Sequence, residues 1–226
     1  MRFDIVTGFP GMFAGPLTES ILKRAQEGGL AEIVVHDLRS HAHDRHRTID
    51  DAPFGGGPGM ILKPEPVFAC IEELQSQRKY DEVIYLSADG EKLTQSLANE
   101  LSLTGNLLLL CGHYKGVDER IREALVTREI SIGDYVVTGG ELPAMVLIDS
   151  IIRLIPGAMH DGESLLGDSF QDGLLDAPSY TRPAEFRGMT VPTVLLSGNH
   201  EEITAWRTQQ RENRTRARRN DVIEHS

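Results

Sequence analysis

Asn106-Leu107-Leu108-Leu109-Leu110-Cys111 is an unbroken apolar run that leads directly into Gly112-His113-Tyr114-Lys115-Gly116. Four consecutive leucines leave no polar face. A half-exposed strand would alternate, and an amphipathic helix would repeat every three to four residues. A short continuous run fits a strand covered on both sides, the kind that belongs to a parallel sheet flanked by helices. Working outward, residues 2–7, 31–36 and 82–87 also read as strands, and 134–138 as a further short one. Residues 16–27, 64–77, 93–102, 118–125 and 142–155 read as helices, the first two entered through prolines. This alternation predicts an α/β fold with a mostly parallel sheet.

The length, 226 residues, predicts one large domain or one domain with a small appendage. A net charge of −11 argues against a protein that coats nucleic acid through bulk positive charge, though not against a local basic site. Cys70 and Cys111 are the only cysteines, which excludes a disulfide framework and a Cys-rich zinc site and fits a reducing compartment. Met1-Arg2-Phe3-Asp4-Ile5-Val6 carries no signal-peptide core, and no apolar run approaches the length of a membrane span. The expectation is a cytoplasmic protein without a membrane partner.

Charge is distributed unevenly. Arg207, Arg211, Arg214, Arg216, Arg218 and Arg219 lie in 207–219 against Glu212 alone, in a helix-period segment of roughly 201–217. A solvated helix surface explains such a cluster; so does a phosphate-contacting one, the sharper reading in an otherwise acidic chain. Residues 36–47 hold four of the eight histidines together with Arg39, Arg45 and Arg47. Their spacing matches no standard metal-ligand pattern, so a polar loop, exposed or meeting phosphates, is expected. From Pro156 to Asp176 periodicity disappears amid glycines and acids. A loop of that length is functional or a linker, and a domain boundary is placed there.

Three glycine-bearing turns follow strand-like runs: Ser87-Ala88-Asp89-Gly90, Cys111–Gly116, and Ile132-Gly133-Asp134-Tyr135-Val136-Val137-Thr138-Gly139-Gly140. In parallel α/β sheets ligands bind beyond the carboxyl ends of the strands, where glycines let the backbone approach closely. Gly55-Gly56-Gly57-Pro58-Gly59-Met60 is a fourth cluster, but it is neither a dinucleotide fingerprint nor a P-loop. Ser197-Gly198-Asn199-His200 and the rest of the chain offer no hydrolase nucleophile arrangement.

Taken in order, Phe9-Pro10, Ile49-Asp50-Asp51, Pro53–Met60, Cys111-Gly112-His113-Tyr114-Lys115-Gly116-Val117-Asp118-Glu119-Arg120, Ser131–Glu141, Asp168-Ser169-Phe170, Gly173-Leu174-Leu175 and Tyr180-Thr181-Arg182-Pro183 form a recognisable set. It resembles the bacterial tRNA (guanine-N1)-methyltransferases of the SPOUT class, the TrmD family, which modify the guanosine 3′ of the anticodon. The resemblance runs over nearly the whole chain, and the Gly55–Met60 and Ser131–Tyr135 blocks are its most specific parts.

The resemblance implies a SPOUT-type parallel sheet with a C-terminal trefoil knot in the main domain, residues 1–159. It implies an interdomain linker, 160–175, and a small, mainly helical tRNA-binding domain, 176–226. It also implies a homodimer with composite active sites, S-adenosylmethionine as methyl donor, and magnesium associated with activity. Matched position by position, the cofactor site comprises Tyr85, Leu86, Ser87, Gly90, Gly112, Tyr114, Gly116, Ile132, Gly133, Asp134, Tyr135, Val136, Val137, Gly139, Gly140 and Pro143. Asp168 matches the family's general base and Arg153 the group that stabilises guanine O6. The anticodon stem-loop would meet Arg45, His46, Asp50, Arg207 and Arg214.

The pattern has departures. Lys115 stands where many family members carry Glu, Ala88-Asp89 replaces a frequent Pro-Gln, and Gly8 precedes Phe9 where a bulky residue is usual. The rivals are a SPOUT enzyme acting on ribose or ribosomal RNA and a non-enzymatic RNA-binding module. Asp168 and the Gly55–Met60 block argue against the first; product formation separates the second.

Overall fold

In the computed structural model, which describes residues 1–159 and 168–224, the leucine run is the middle strand of a five-stranded sheet. The strands are β1 (Arg2–Thr7), β2 (Glu32–Asp37), β5 (Glu82–Lys92), β6 (Asn106–Cys111) and β7 (Arg128–Ser131), ordered β2-β1-β6-β5-β7. Every pairing is parallel, with Phe3 beside Leu107 and Val83 beside Leu108. Two short strands, β3 (Asp50–Asp51) and β4 (Ile61–Leu62), form a separate antiparallel pair.

Helices cover both faces. Leu107, Leu109 and Cys111 pack in one core with Leu22 and Ala25 of α1 (Ser20–Glu27), Leu97 and Leu101 of α3 (Gln95–Leu101), and Leu147, Ile148 and Ile151 of α5 (Glu141–Ile152). Leu108 and Leu110 face the other way, onto Val67, Cys70 and Ile71 of α2 (Pro64–Gln77) and Ile121 of α4 (Glu119–Leu125). The four leucines are 0% exposed, so the strand is buried on both faces as its sequence requires.

Three expectations change. Residues 134–138 are not a strand; the edge strand is Arg128–Ser131. Its charged residues obscured it in the sequence, but an edge strand needs only one apolar side, which Ile130 supplies. The helix expected over 16–27 divides into a 3₁₀ turn, Pro16–Thr18, and α1, because Glu19 is extended and caps the second piece. The loop Ser87–Gly90 does not end a strand. It bulges out of β5, which then resumes, so that both Leu86 and Glu91 pair with Ile130.

The chain divides into two compact units, Met1–His160 and Asp161–Ser226. The expected linker, 160–175, falls partly outside the described residues. In the second unit a hairpin pairs Glu185–Phe186 with Met189–Thr190, and a long helix spans His200–Arg218. Asn199 caps that helix by accepting from the amides of Glu201 and Glu202. No described helix is long and apolar enough to cross a membrane.

Candidate functional site

Three segments, the bulged part of β5 and the loops that follow β6 and β7, line a cleft of about 230 Å³. Tyr85, Leu86 and Ser87 come from β5, and Gly112, Tyr114 and Gly116 from the loop after β6. Ile132, Gly133, Tyr135, Val136, Val137, Gly139 and Gly140 come from the loop after β7, and Pro143 from the first turn of α5.

Of the positions matched to a cofactor site, Gly90 and Asp134 lie outside this lining. Gly90 serves the sheet. A Cβ there would stand 2.5 Å from the backbone of Glu129 and Ile130, so glycine lets the bulged β5 return to its neighbour. Asp134 is exposed and pairs with Lys92 at 2.6 Å.

The second and third segments lie one on the other. The Gly140 amide donates to the Gly112 carbonyl at 2.7 Å, and His113 bridges to Gly139. A Cβ on Gly140 would sit 2.7 Å from Cys111 Cα, so no other residue fits without moving one segment. Tyr114 has a φ of 60°, a left-handed conformation that is strained for a bulky residue and typical of functional loops. Tyr114 and Tyr135 are both exposed and leave two aromatic rings at the cleft.

Tyr85 is 5% exposed, and burial pushes its phenol above the usual range. The Arg122 guanidinium lies 5.8 Å from its ring centroid and is clamped by Glu129 at 2.8 and 2.9 Å. Arg122 also lines the cleft. Sequence reading missed it, because a lone arginine on an amphipathic helix looks like a solvated one.

The glycine cluster sits beside the cleft. The Lys115 amide donates to the Met60 carbonyl at 3.0 Å, and its aliphatic stem packs over Gly59. Further along, Asp44 organises the His/Arg loop. It accepts from the amides of His46 and Thr48, at 3.0 and 2.7 Å, and from the Thr48 hydroxyl. Arg45 and His46 project into solvent, while Asp50 is half-buried in β3.

Arg153 lies away from the cleft. It caps the C-terminal end of α5, whose N-terminal end lines the cleft. At 1.5 Å per residue, the helix separates Gly140 from Arg153 by roughly 20 Å.

The second unit carries its own groove, of about 930 Å³, lined by Asp168, Tyr180, Arg182, Arg207 and Arg211 among others. The Asp168 segment is fixed to the long helix. The Leu175 amide donates to the Thr215 hydroxyl at 2.9 Å, and Arg211 holds the Leu175 carbonyl and the Asp172 carboxylate. That guanidinium holds Asp172 below the usual carboxylate range. Arg207 is exposed, whereas Arg214 is half-buried, and its Nε has no hydrogen-bond partner among the described residues. The described residues contain no group of three or more His, Cys, Asp or Glu able to hold a metal ion.

Residues 1–225 match the family described as tRNA (Guanine-1)-methyltransferase TrmD. Curated relatives named tRNA (guanine-N(1)-)-methyltransferase are similar over nearly the whole of this chain. The one from Chlorobium chlorochromatii is 57% identical over 226 residues, covering 100% of this chain and 98% of the relative. Those from Chlorobaculum tepidum and Bacteroides fragilis are 55% and 56% identical, covering 99% of this chain and 97% and 100% of the relatives.

Proposed function

Because the chain belongs to the tRNA (guanine-1)-methyltransferase family, we propose that it transfers a methyl group from S-adenosylmethionine to N1 of the guanosine 3′ of the anticodon. The observation that carries this reading is the glycine-built cleft where two crossing loops meet. Close backbone approach and flanking tyrosines suit a nucleoside with a charged amino-acid tail. Bound there, S-adenosylmethionine supplies an electrophilic methyl group.

The protein's task is to make guanine N1 nucleophilic. At neutral pH that nitrogen carries a proton. Asp168 accepts it as general base, and the charge that then develops on O6 is stabilised by the Arg153 guanidinium. The target base leaves its stack to be reached, and an anticodon loop eases that step. Asp168 lines a groove with Arg182 and Arg207, which supports a surface where the base and phosphate contacts act together. Arg214, Arg45, His46 and Asp50 complete the proposed RNA contacts.

The reading includes a trefoil knot, supported by the close crossing of the loops after β6 and β7. It also includes a homodimer with composite sites. Arg153 stands at the end of α5 remote from its own cleft, and Leu142 and Val146 expose an apolar stripe along that helix. In the proposed composite site, one copy supplies the cleft and the partner subunit supplies the base and the O6-stabilising arginine. The small C-terminal unit grips the anticodon stem-loop, and the enzyme works in the cytoplasm, where tRNA is modified. For magnesium, the described residues offer no group of three or more His, Cys, Asp or Glu, and Lys115 brings a cation to the cleft. No step is assigned to the metal.

The test is methyl transfer from labelled S-adenosylmethionine to tRNA transcripts with guanosine or adenosine 3′ of the anticodon. Label only in the guanosine transcript, at N1, is the expected result. No label in either, despite cofactor and tRNA binding, overturns the proposal.

A further inference from the structure

Behind the cleft lies a polar group that the proposed chemistry does not use. Glu141 opens α5 and is 0% exposed. Its Oε1 accepts from the Thr7 hydroxyl at 2.7 Å, and that hydroxyl in turn accepts from the Phe9 amide at 2.9 Å. Its Oε2 has no hydrogen-bond partner among the described residues, and neither has the buried Nδ1 of His113, 3.5 Å away. Two unsatisfied buried atoms of complementary type, facing each other just beyond bonding distance, are costly as they stand. Closing the gap by well under 1 Å would satisfy both with one hydrogen bond.

His113 also connects this carboxylate to the cleft. Its ring stacks on Phe9 at 4.1 Å and meets Tyr114 edge-on at 4.9 Å, and both His113 and Tyr114 line the cleft. The absence of a side chain at Gly139 keeps the space between His113 and Glu141 clear.

We propose that Glu141 is a positioning residue for the cofactor loop: when the cleft fills, it accepts the Nδ1–H of His113 and locks the Phe9–His113–Tyr114 stack as one wall of the site. Hydrogen bonds at functional sites are often long before ligand binds and tighten in the complex. The carboxylate touches neither methyl donor nor RNA. It acts through the tautomer and tilt of His113, and Thr7 fixes its own orientation. Its effect therefore falls on cofactor affinity and much less on turnover at saturation.

The inference rests on the cleft being the S-adenosylmethionine site, and the experiment separates the two. S-adenosylhomocysteine binding is measured by calorimetry, and the His113 ring nitrogens of the wild-type protein are followed by ¹⁵N NMR with and without it. Saturation is expected to give His113 protonated at Nδ1. Glu141→Gln is expected to bind about tenfold more weakly, with kcat within twofold of wild type at saturating cofactor. Wild type that binds no S-adenosylhomocysteine refutes the site itself. Wild type that binds it with His113 protonated at Nε2 alone, or Glu141→Gln that binds as wild type, overturns the role of Glu141. The NMR arm decides the question even if Glu141→Gln fails to fold.

Discussion

The amide of Gly140 hydrogen-bonds the carbonyl of Gly112 at 2.7 Å, so the chain entering α5 rests directly on the chain leaving β6. A methyl group at Gly140 must push into the backbone of Cys111. Gly140→Ala is expected to destabilise the first unit by about 1–3 kcal/mol, the usual penalty of overpacking. It is also expected to weaken S-adenosylhomocysteine binding at least tenfold. Thermal melts and calorimetry check both; wild-type affinity in a folded variant would show that the crossing does not shape the cleft.

Asp168→Ala removes the proposed base and leaves the cleft of the first unit intact. Turnover is expected to fall by about 10²-fold or more, the scale of general-base catalysis, with cofactor affinity unchanged. Single-turnover methylation and binding measured on the same preparation test the separation.

Two arginines of the basic helix are expected to behave differently. Arg207 is exposed at the groove, so Arg207→Ala should weaken tRNA binding and reduce the salt dependence by about one counterion. Arg211 is engaged with Asp172 and the Leu175 carbonyl. Arg211→Ala should therefore loosen the Asp168 segment, read as a lower kcat and faster proteolysis between residues 168 and 177. Equal losses of binding in the two variants, with equal salt slopes, would contradict this distinction.

Asp4 is buried at mid-strand in β1. Burial alone would raise its carboxyl, but hydrogen bonds from His36, Arg2 and Tyr80 overcome that and hold it far below the usual carboxylate range. A depressed folded value means stability that is fully present above the unfolded value, roughly 3.9, and is lost as pH falls below it. Acid titration of the melting midpoint should show a fall below about pH 4 that is shallower in Asp4→Asn. At neutral pH that variant should lose about 3–5 kcal/mol, the scale for breaking a buried charge pair. An unchanged acid limb would assign the acid sensitivity to other groups.

Sequence carried the fold where one residue type decided the environment. Four leucines in a row have no face to give to water, and the helix 64–77 begins at its proline as expected. It failed at Arg128–Ser131, where a half-buried edge strand tolerates charges, and at Val136-Val137-Thr138, where β-branched residues line a cleft instead of a sheet. The cleft-lining glycines were legible because close approach admits little else. Arg122 was not, since its role comes from Glu129 and Tyr85, which its own sequence neighbours do not reveal. The contact of Lys115 with Gly59 is likewise a meeting of residues distant in sequence.

The central strand has a consequence for how the first unit comes apart. Leu107 and Leu109 belong to one hydrophobic layer and Leu108 and Leu110 to the other. Neither layer can melt while the other persists without stripping solvent protection from the strand they share. The amides of 107–110 should therefore exchange with deuterium only through global unfolding. The loop that leaves the end of this strand, and through the Gly140–Gly112 bond the loop that crosses it, inherit an anchor whose lifetime is that of the whole unit.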